Sequence, residues 1–541
     1  MSLISRRALK QVLGELPFTA EVYWQLRQQG RPLNKSFSLR RVENSLPAWR
    51  EQVESARRQA PPGKRVLLFS TLRYWVEHAT LLGMALAGLG HDASLIFLPT
   101  NNWRKPITRF DLRRQNAYAT RALQPAAPYL KAVSLLDIRP GKHALPDALE
   151  RMVEEISIRD VQYTLQIEAV DRQPGAQTPS ARLYSLRLQR NSQAARAALA
   201  WMQANRPDVV IVPNGSILEM GVVYQAARFL DIPVVTYEFG EQRGRIWLAQ
   251  NAEVMRQETG ALWAARKDLP LNEDQWEQTR ALFASRQRAS LWENFSRRWQ
   301  GLPSQGGEQV RRALGLDARP ILLLAANVIG DSLTLGRQVF SESMTEWLQR
   351  SVLYFAGRPD VQLVVRIHPG ERYTKGPSVA DVVRQALPNL PEHIHLVQAG
   401  DPVNTYDLVE IADLGLVYTT TVGMEMAMSG APVIVAGQTH YRGKGFTLDA
   451  ESWESYFELL EQVLSGPQQR RLTRSQVEQA WNYAYRFFFE YPCPFPWHLL
   501  HFWNEMETWP LQRVLSPEGQ AEFGEAFRYL SGEPRRWQAD A

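Results

Sequence analysis

Leu414-Gly415-Leu416-Val417-Tyr418, then Thr419-Thr420-Thr421-Val422-Gly423-Met424-Glu425-Met426-Ala427-Met428-Ser429-Gly430-Ala431, then Pro432-Val433-Ile434-Val435-Ala436, is the stretch that decides the fold. The two outer runs are short and apolar throughout, as strands buried on both faces are. Between them the spacing predicts a helix over 422–428, stopped by Gly430 and Pro432. Two strands joined through a helix pair in parallel.

The same pattern repeats on either side. Upstream, strands are predicted at 321–324, 361–367 and 393–397, with a helix over 340–355. Further back, Arg65–Phe69, a helix over 75–89 and Ala93–Leu98 form another such unit. Pro207–Pro213, a helix near 219–230 and Ile232–Tyr237 form one more. Between about 100 and 190 the signal is weak, with a strand at 133–138 and a helix at 145–156. The expected fold class is therefore α/β with two Rossmann-like domains. The boundaries follow from where the signal stops and restarts: an N-terminal helical segment over 1–58, a Rossmann-like domain over 59–251, a helical linker over 252–316, a second Rossmann-like domain over 317–450, and a helical segment over 451–541.

With 541 residues, 45% of them hydrophobic and 22% charged, the composition is that of a globular protein. Its net charge is +6, yet it carries no aromatic-interleaved basic stripe, so nucleic acid is not an expected partner. The single cysteine, Cys493, permits neither an intrachain disulfide nor a cysteine metal cluster. No Asp-x-Asp pair follows a strand and no helical His pair has ligand spacing, so no metal and no cofactor is expected. No Gly-x-x-x-x-Gly-Lys-Ser/Thr loop is present, which argues against an NTPase. Met1–Leu16 reads as basic and amphipathic, without an apolar signal core, and no apolar run is long enough to span a bilayer. The expected location is the cytoplasm, with peripheral contact at the inner membrane face as its furthest reach.

In an open parallel sheet, ligands collect at the carboxyl ends of the strands. Three such ends in the second domain carry chemistry. In Arg366-Ile367-His368-Pro369-Gly370-Glu371, the proline restrains His368, which is suited to a phosphate; Arg366 and Glu371 flank it. In the Thr419–Gly430 segment, Thr420 and Thr421 precede helix amides that suit an anion, Gly423 admits a close ligand, and Glu425 is placed one position late for a capping box from Thr421. Gly437–Thr447 gathers His440, Tyr441 and Lys444 in one loop. Asn327 and Asp331 end another strand, and serve there either as ligand contacts or as turn formers. In the first domain, Glu238 and then Glu219 are the candidates for the carboxylate that deprotonates an acceptor hydroxyl; a cap or a structural ion pair is the competing role for each.

His368-Pro369, Thr421-Val422-Gly423-Met424-Glu425, Gly430-Ala431-Pro432-Val433 and Gly437–Tyr441 together resemble the capsular polysaccharide and surface-carbohydrate glycosyltransferases. That family includes the 3-deoxy-manno-octulosonic acid (Kdo) transferases. The resemblance covers about residues 317–450 and implies a GT-B-like architecture, two Rossmann-like domains facing a cleft. It implies that His368 contacts donor phosphate, that Thr420 and Thr421 line that site, and that Glu425 holds the ribose. The expected partners are a nucleotide-sugar donor and a saccharide or lipid-linked saccharide acceptor, with a membrane surface or a polysaccharide-assembly complex as further partners. The competing functions are a teichoic-acid-type polyol-phosphate transferase, a sugar-nucleotide epimerase, and a non-catalytic scaffold that binds sugar nucleotides.

Overall fold

The computed structural model describes residues 6–140, 144–240, 242–287 and 302–537. Residues 1–5 of the expected amphipathic start, 288–301 of the expected linker and 538–541 of the expected C-terminal segment lie outside the described residues. The chain forms two compact α/β units.

The first unit comprises the residues up to 160, 171–254 and 493–535. Its strands in chain order are β1 (Arg65–Thr71), β2 (Asp92–Leu98), β3 (Leu130–Ser134), β4 (Val209–Pro213), β5 (Val234–Glu238) and β6 (Arg245–Gln250). Among the described residues the second unit comprises 161–170, 255–492 and 536–537. Its strands are β7 (Ile321–Ala325), β8 (Gln362–Arg366), β9 (Ile394–Val397), β10 (Leu414–Val417), β11 (Val433–Val435) and β12 (Leu448–Asp449). A last short strand, β13 (Cys493–Pro494), returns to the first unit.

The first sheet runs β13-β6-β5-β4-β1-β2-β3, parallel from β5 to β3, with β6 and β13 added antiparallel at one edge. The second sheet runs β12-β11-β10-β7-β8-β9 and is parallel throughout. The cause is visible in the strands. Ile321-Leu322-Leu323-Leu324-Ala325 and Leu414-Gly415-Leu416-Val417 are buried at every position, because helices cover both faces.

Tertiary packing redraws the expected boundaries. The 1–58 segment is part of the first unit's core, which includes Trp24, Phe37, Leu46 and Trp49. Residues 161–170 join the second unit because Glu168 accepts from the backbone N–H groups of Met344 (2.9 Å) and Thr345 (3.1 Å), capping the helix Met344–Ala356. The expected linker contributes the helices Gly260–Arg266, Glu273–Gln287 and Gly307–Ala313 to the second unit. The expected C-terminal helical segment divides. Phe487 and Phe488 pack in the second unit, whereas Phe495, Trp497, Phe523 and Phe527 enter the first unit's core. The weak region holds the helices Arg109–Leu123 and Pro179–Asn205, and its strand lies at Leu130–Ser134 rather than 133–138.

Candidate functional site

A cavity of about 240 Å³ opens in the second unit at the carboxyl edge of its sheet. Its place follows from topology. From β7 the chain steps one way to β8 and β9, and later the other way to β10, β11 and β12. Between β7 and β10 the connections therefore leave in opposite directions, which opens a crevice at the strand ends. Asn327 and Asp331 after β7, Arg366, His368 and Pro369 at the end of β8, and Thr420, Thr421 and Val422 after β10 line it, with Arg286, Thr405 and Tyr406.

His368 Nδ1 accepts the Gly370 backbone N–H at 3.0 Å. In the neutral ring this puts the proton on Nε2 and makes that nitrogen the donor of the pair. Arg366 is buried and donates to the carbonyls of Gln398 (2.6 Å) and Val403 (2.9 Å) and to Thr405 Oγ1 (3.3 Å). It thus fixes the 398–405 turn that forms one wall. Burial lowers its guanidinium to about 10. Asn327 accepts the Thr419 N–H at 3.2 Å, which ties the ends of β7 and β10 together. Burial raises the Asp331 carboxyl, against the hydrogen bonds from Ser332 and Leu333. Thr421 makes no side-chain cap to the helix Val422–Met428.

Sequence reasoning missed Arg286. It comes from the helix Glu273–Gln287, far from any strand, and its Nε and one terminal nitrogen both reach Glu425 Oε1, at 2.8 and 2.7 Å. Burial alone would lower this guanidinium; the Glu425 carboxylate, with Tyr406, outweighs it and raises it. An arginine in a polar helical stretch gives no periodic signal, so only the fold could find it.

Other expected residues lie elsewhere. Glu425, expected at a ribose, is buried on the helix in its pair with Arg286 and is not among the cavity's lining residues. Gly423 gives room to protein, not ligand: a Cβ there would sit 2.5 Å from the Tyr441 hydroxyl and 2.9 Å from Val417. The amides of that helix are not open either, since Gly423 N–H and Met424 N–H donate to the Thr420 and Thr421 carbonyls. Tyr441 is buried and donates to the Thr420 carbonyl at 2.6 Å. His440 is stacked on Phe487 at 3.7 Å and bonded to the Tyr483 hydroxyl, and burial pushes its imidazole down to about 3. Glu371 caps the helix Val379–Ala386 by accepting the Val379 N–H at 3.2 Å. Lys444 is half-buried and outside the cavity lining.

In the first unit, Glu238 ends β5, half-buried, with Oε2 accepting from Asn214 Nδ2 and Oε1 from the Phe239 N–H, both at 3.1 Å. Burial raises its carboxyl. Asn214 sits at the end of the neighbouring β4 with φ 60°. Glu219 is enclosed: its carboxylate lies 3.0 Å from Arg187, itself fully buried beside Asp160. Burial would raise Glu219, but the Arg187 charge holds it below the usual range. This is the structural ion pair that competed with a catalytic role for Glu219. Among the described residues no group of three His, Cys, Asp or Glu side chains is placed to hold a metal ion, and no helix is long and apolar enough to cross a membrane.

No protein-family model matches the chain, and no curated protein does. Solved structures do. One is the beta Kdo 2,4 transferase KpsC of Thermosulfurimonas dismutans, at 17% identity over 50% of this chain and 78% of that one, with a TM-score of 0.32. The beta Kdo 2,7 transferase KpsC of the same organism matches at 15% identity over 47% and 72%, with a TM-score of 0.29. A putative UDP-N-acetylglucosamine 2-epimerase from Listeria monocytogenes matches at 13% identity over 77% and 91%, with a TM-score of 0.26. Likenesses this slight decide nothing by themselves; the two strand orders above carry the fold.

Proposed function

We propose that the chain is a GT-B-type glycosyltransferase that holds a nucleotide-sugar donor at the β7–β10 crevice and transfers the sugar to a surface-polysaccharide acceptor. The observation that carries this reading is the convergence of Arg366, His368, Asn327, Asp331 and the threonine hydroxyls on one crevice at the strand ends of the second sheet. A phosphate there would meet the His368 imidazole and the field of a buried guanidinium. A sugar finds a carboxyl and hydroxyls. The counter-charge to the donor phosphates rests on these side chains in the proposal, so turnover should survive chelation with EDTA. Glu238, with its raised carboxyl at the end of β5 in the first unit, is the proposed base toward the acceptor hydroxyl.

Thermal unfolding across nucleoside mono- and diphosphates and their sugar conjugates tests the donor site, because a ligand at about 100 times its Kd stabilises the native state by about 2.7 kcal/mol. No shift with any nucleotide would end the proposal. A second reading, epimerisation of a sugar nucleotide, is favoured by Asp331, a raised carboxyl lining the same cavity. The products separate the two: transfer releases nucleoside phosphate, whereas epimerisation returns an intact sugar nucleotide of changed configuration.

A further inference from the structure

Of the fourteen exposed large hydrophobic residues among the described ones, seven lie between Leu9 and Leu26. They sit on a helical hairpin of the first unit, Arg6–Glu15 followed by Thr19–Arg27. Its inner side is packed: Ala20 and Trp24 are buried, and a Cβ on Gly14 would meet the Phe110 backbone nitrogen at 2.8 Å. Its outer side carries an apolar strip beside the exposed Gln11, Glu15 and Gln25. Leu9 and Val12 lie at helical spacing on the first helix, with Leu16 just past its end, and Val22 and Leu26 lie at helical spacing on the second. Phe18 stands at the turn between them. Val12 is 61% exposed, Leu26 72% and Phe18 74%. Phe18 also adopts φ 60°, a conformation that costs a bulky residue energy.

Charge is concentrated in the same place. The first 50 residues hold nine Lys and Arg against three Asp and Glu, which is the entire net charge of the chain. The nearby acids are neutralised within the fold: Glu15 pairs with Arg109, Glu21 with Arg113, and Asp111 with Lys10. Arg27, Arg31 and Lys35 stay exposed beside the second helix and the segment that follows it.

We propose that this hairpin docks the protein on an anionic lipid bilayer, with Leu9, Val12, Leu16, Phe18, Val22 and Leu26 in the headgroup–acyl boundary and the flanking cations among the headgroups. Apolar residues along one helix face beside a basic rim are what an interfacial helix requires. Charge decides against the main rival, a second copy of the chain, because two like basic patches would repel. The inference does not depend on the donor site.

The test is cosedimentation of the full chain with vesicles of phosphatidylcholine containing about 30% phosphatidylglycerol and with pure phosphatidylcholine, at low and high salt. The expected result is binding to the anionic vesicles that is about tenfold or more weaker on the neutral ones and weakened by salt. The triple variant Val12→Gln, Phe18→Ser, Leu26→Gln keeps the net charge. It should lose about tenfold or more in binding to anionic vesicles while unfolding at the wild-type temperature. Equal binding to both vesicle types, no binding to either, or a triple variant that binds like wild type would overturn the proposal. So would light scattering that shows a dimer which the triple variant splits, since that assigns the face to a second copy.

Discussion

Replacing Glu425 by alanine should unfold the second unit early, because of what it leaves behind. Arg286 and Glu425 are 6% and 4% exposed, and two guanidinium nitrogens converge on Oε1 at 2.8 and 2.7 Å. The other oxygen, Oε2, is buried with no hydrogen-bond partner among the described residues. The pair is therefore closely made at one atom and unfinished at the other. Removing Glu425 leaves the buried guanidinium its Tyr406 hydrogen bond but takes away its carboxylate counter-charge, a loss of about 3–5 kcal/mol. For a unit of this size that is roughly 6–20 °C in the midpoint of its transition. Replacing both, as Arg286→Met with Glu425→Leu, removes the two desolvated charges together and should recover most of the loss. Calorimetry gives the midpoints, and denaturant titration followed by tryptophan fluorescence gives the free energies. A Glu425→Ala loss below about 1 kcal/mol, or a double variant as unstable as the sum of the singles, would refute the reasoning.

Other expectations follow from the same geometry. His368→Ala should weaken nucleotide binding about tenfold or more, read by calorimetric titration, because it removes a hydrogen bond to a charged group; unchanged affinity would remove His368 from the site. Glu238→Gln should leave nucleotide affinity intact and abolish turnover, and the wild-type rate should rise with pH through the raised Glu238 carboxyl, since the base must be ionised; a variant with wild-type turnover would dismiss Glu238. The folded pKa of His440, about 3, is below the unfolded value near 6.5, so the unfolded chain binds the extra proton and stability falls as pH drops from 6.5 toward 3. At pH 5 this amounts to about 2 kcal/mol, so wild type should lose about that much more than His440→Asn between pH 7 and pH 5; parallel pH profiles would show that the imidazole is not held neutral. Gly423→Ala should cost about 1–3 kcal/mol by crowding the Tyr441 hydroxyl and Val417, and adding Tyr441→Phe should return part of it; an additive pair would mean that the two do not touch.

The sequence by itself determined the α/β class, the parallel crossovers and the strand ends that carry Asn327, Asp331, Arg366, His368, Thr420 and Thr421. The reason is local. A strand buried on both faces must be apolar throughout, and the polar residues that follow it mark its carboxyl end. Weak or short strands left no such mark: β6 and the two-residue β13 are edge additions that only a neighbouring strand makes recognisable. The side-chain roles within the second unit were decided in three dimensions. Glu425, Gly423, His440 and Tyr441 read as ligand contacts because a carboxylate, a glycine, a histidine and a tyrosine near a strand end have the chemistry for it. The partners that claim them, Arg286, Val417, Tyr483 and Phe487, are brought to them by the fold. Periodicity in a sequence reports which face of an element is buried. It does not report which distant group a buried polar atom will meet, and that pairing decides between a binding residue and a structural one.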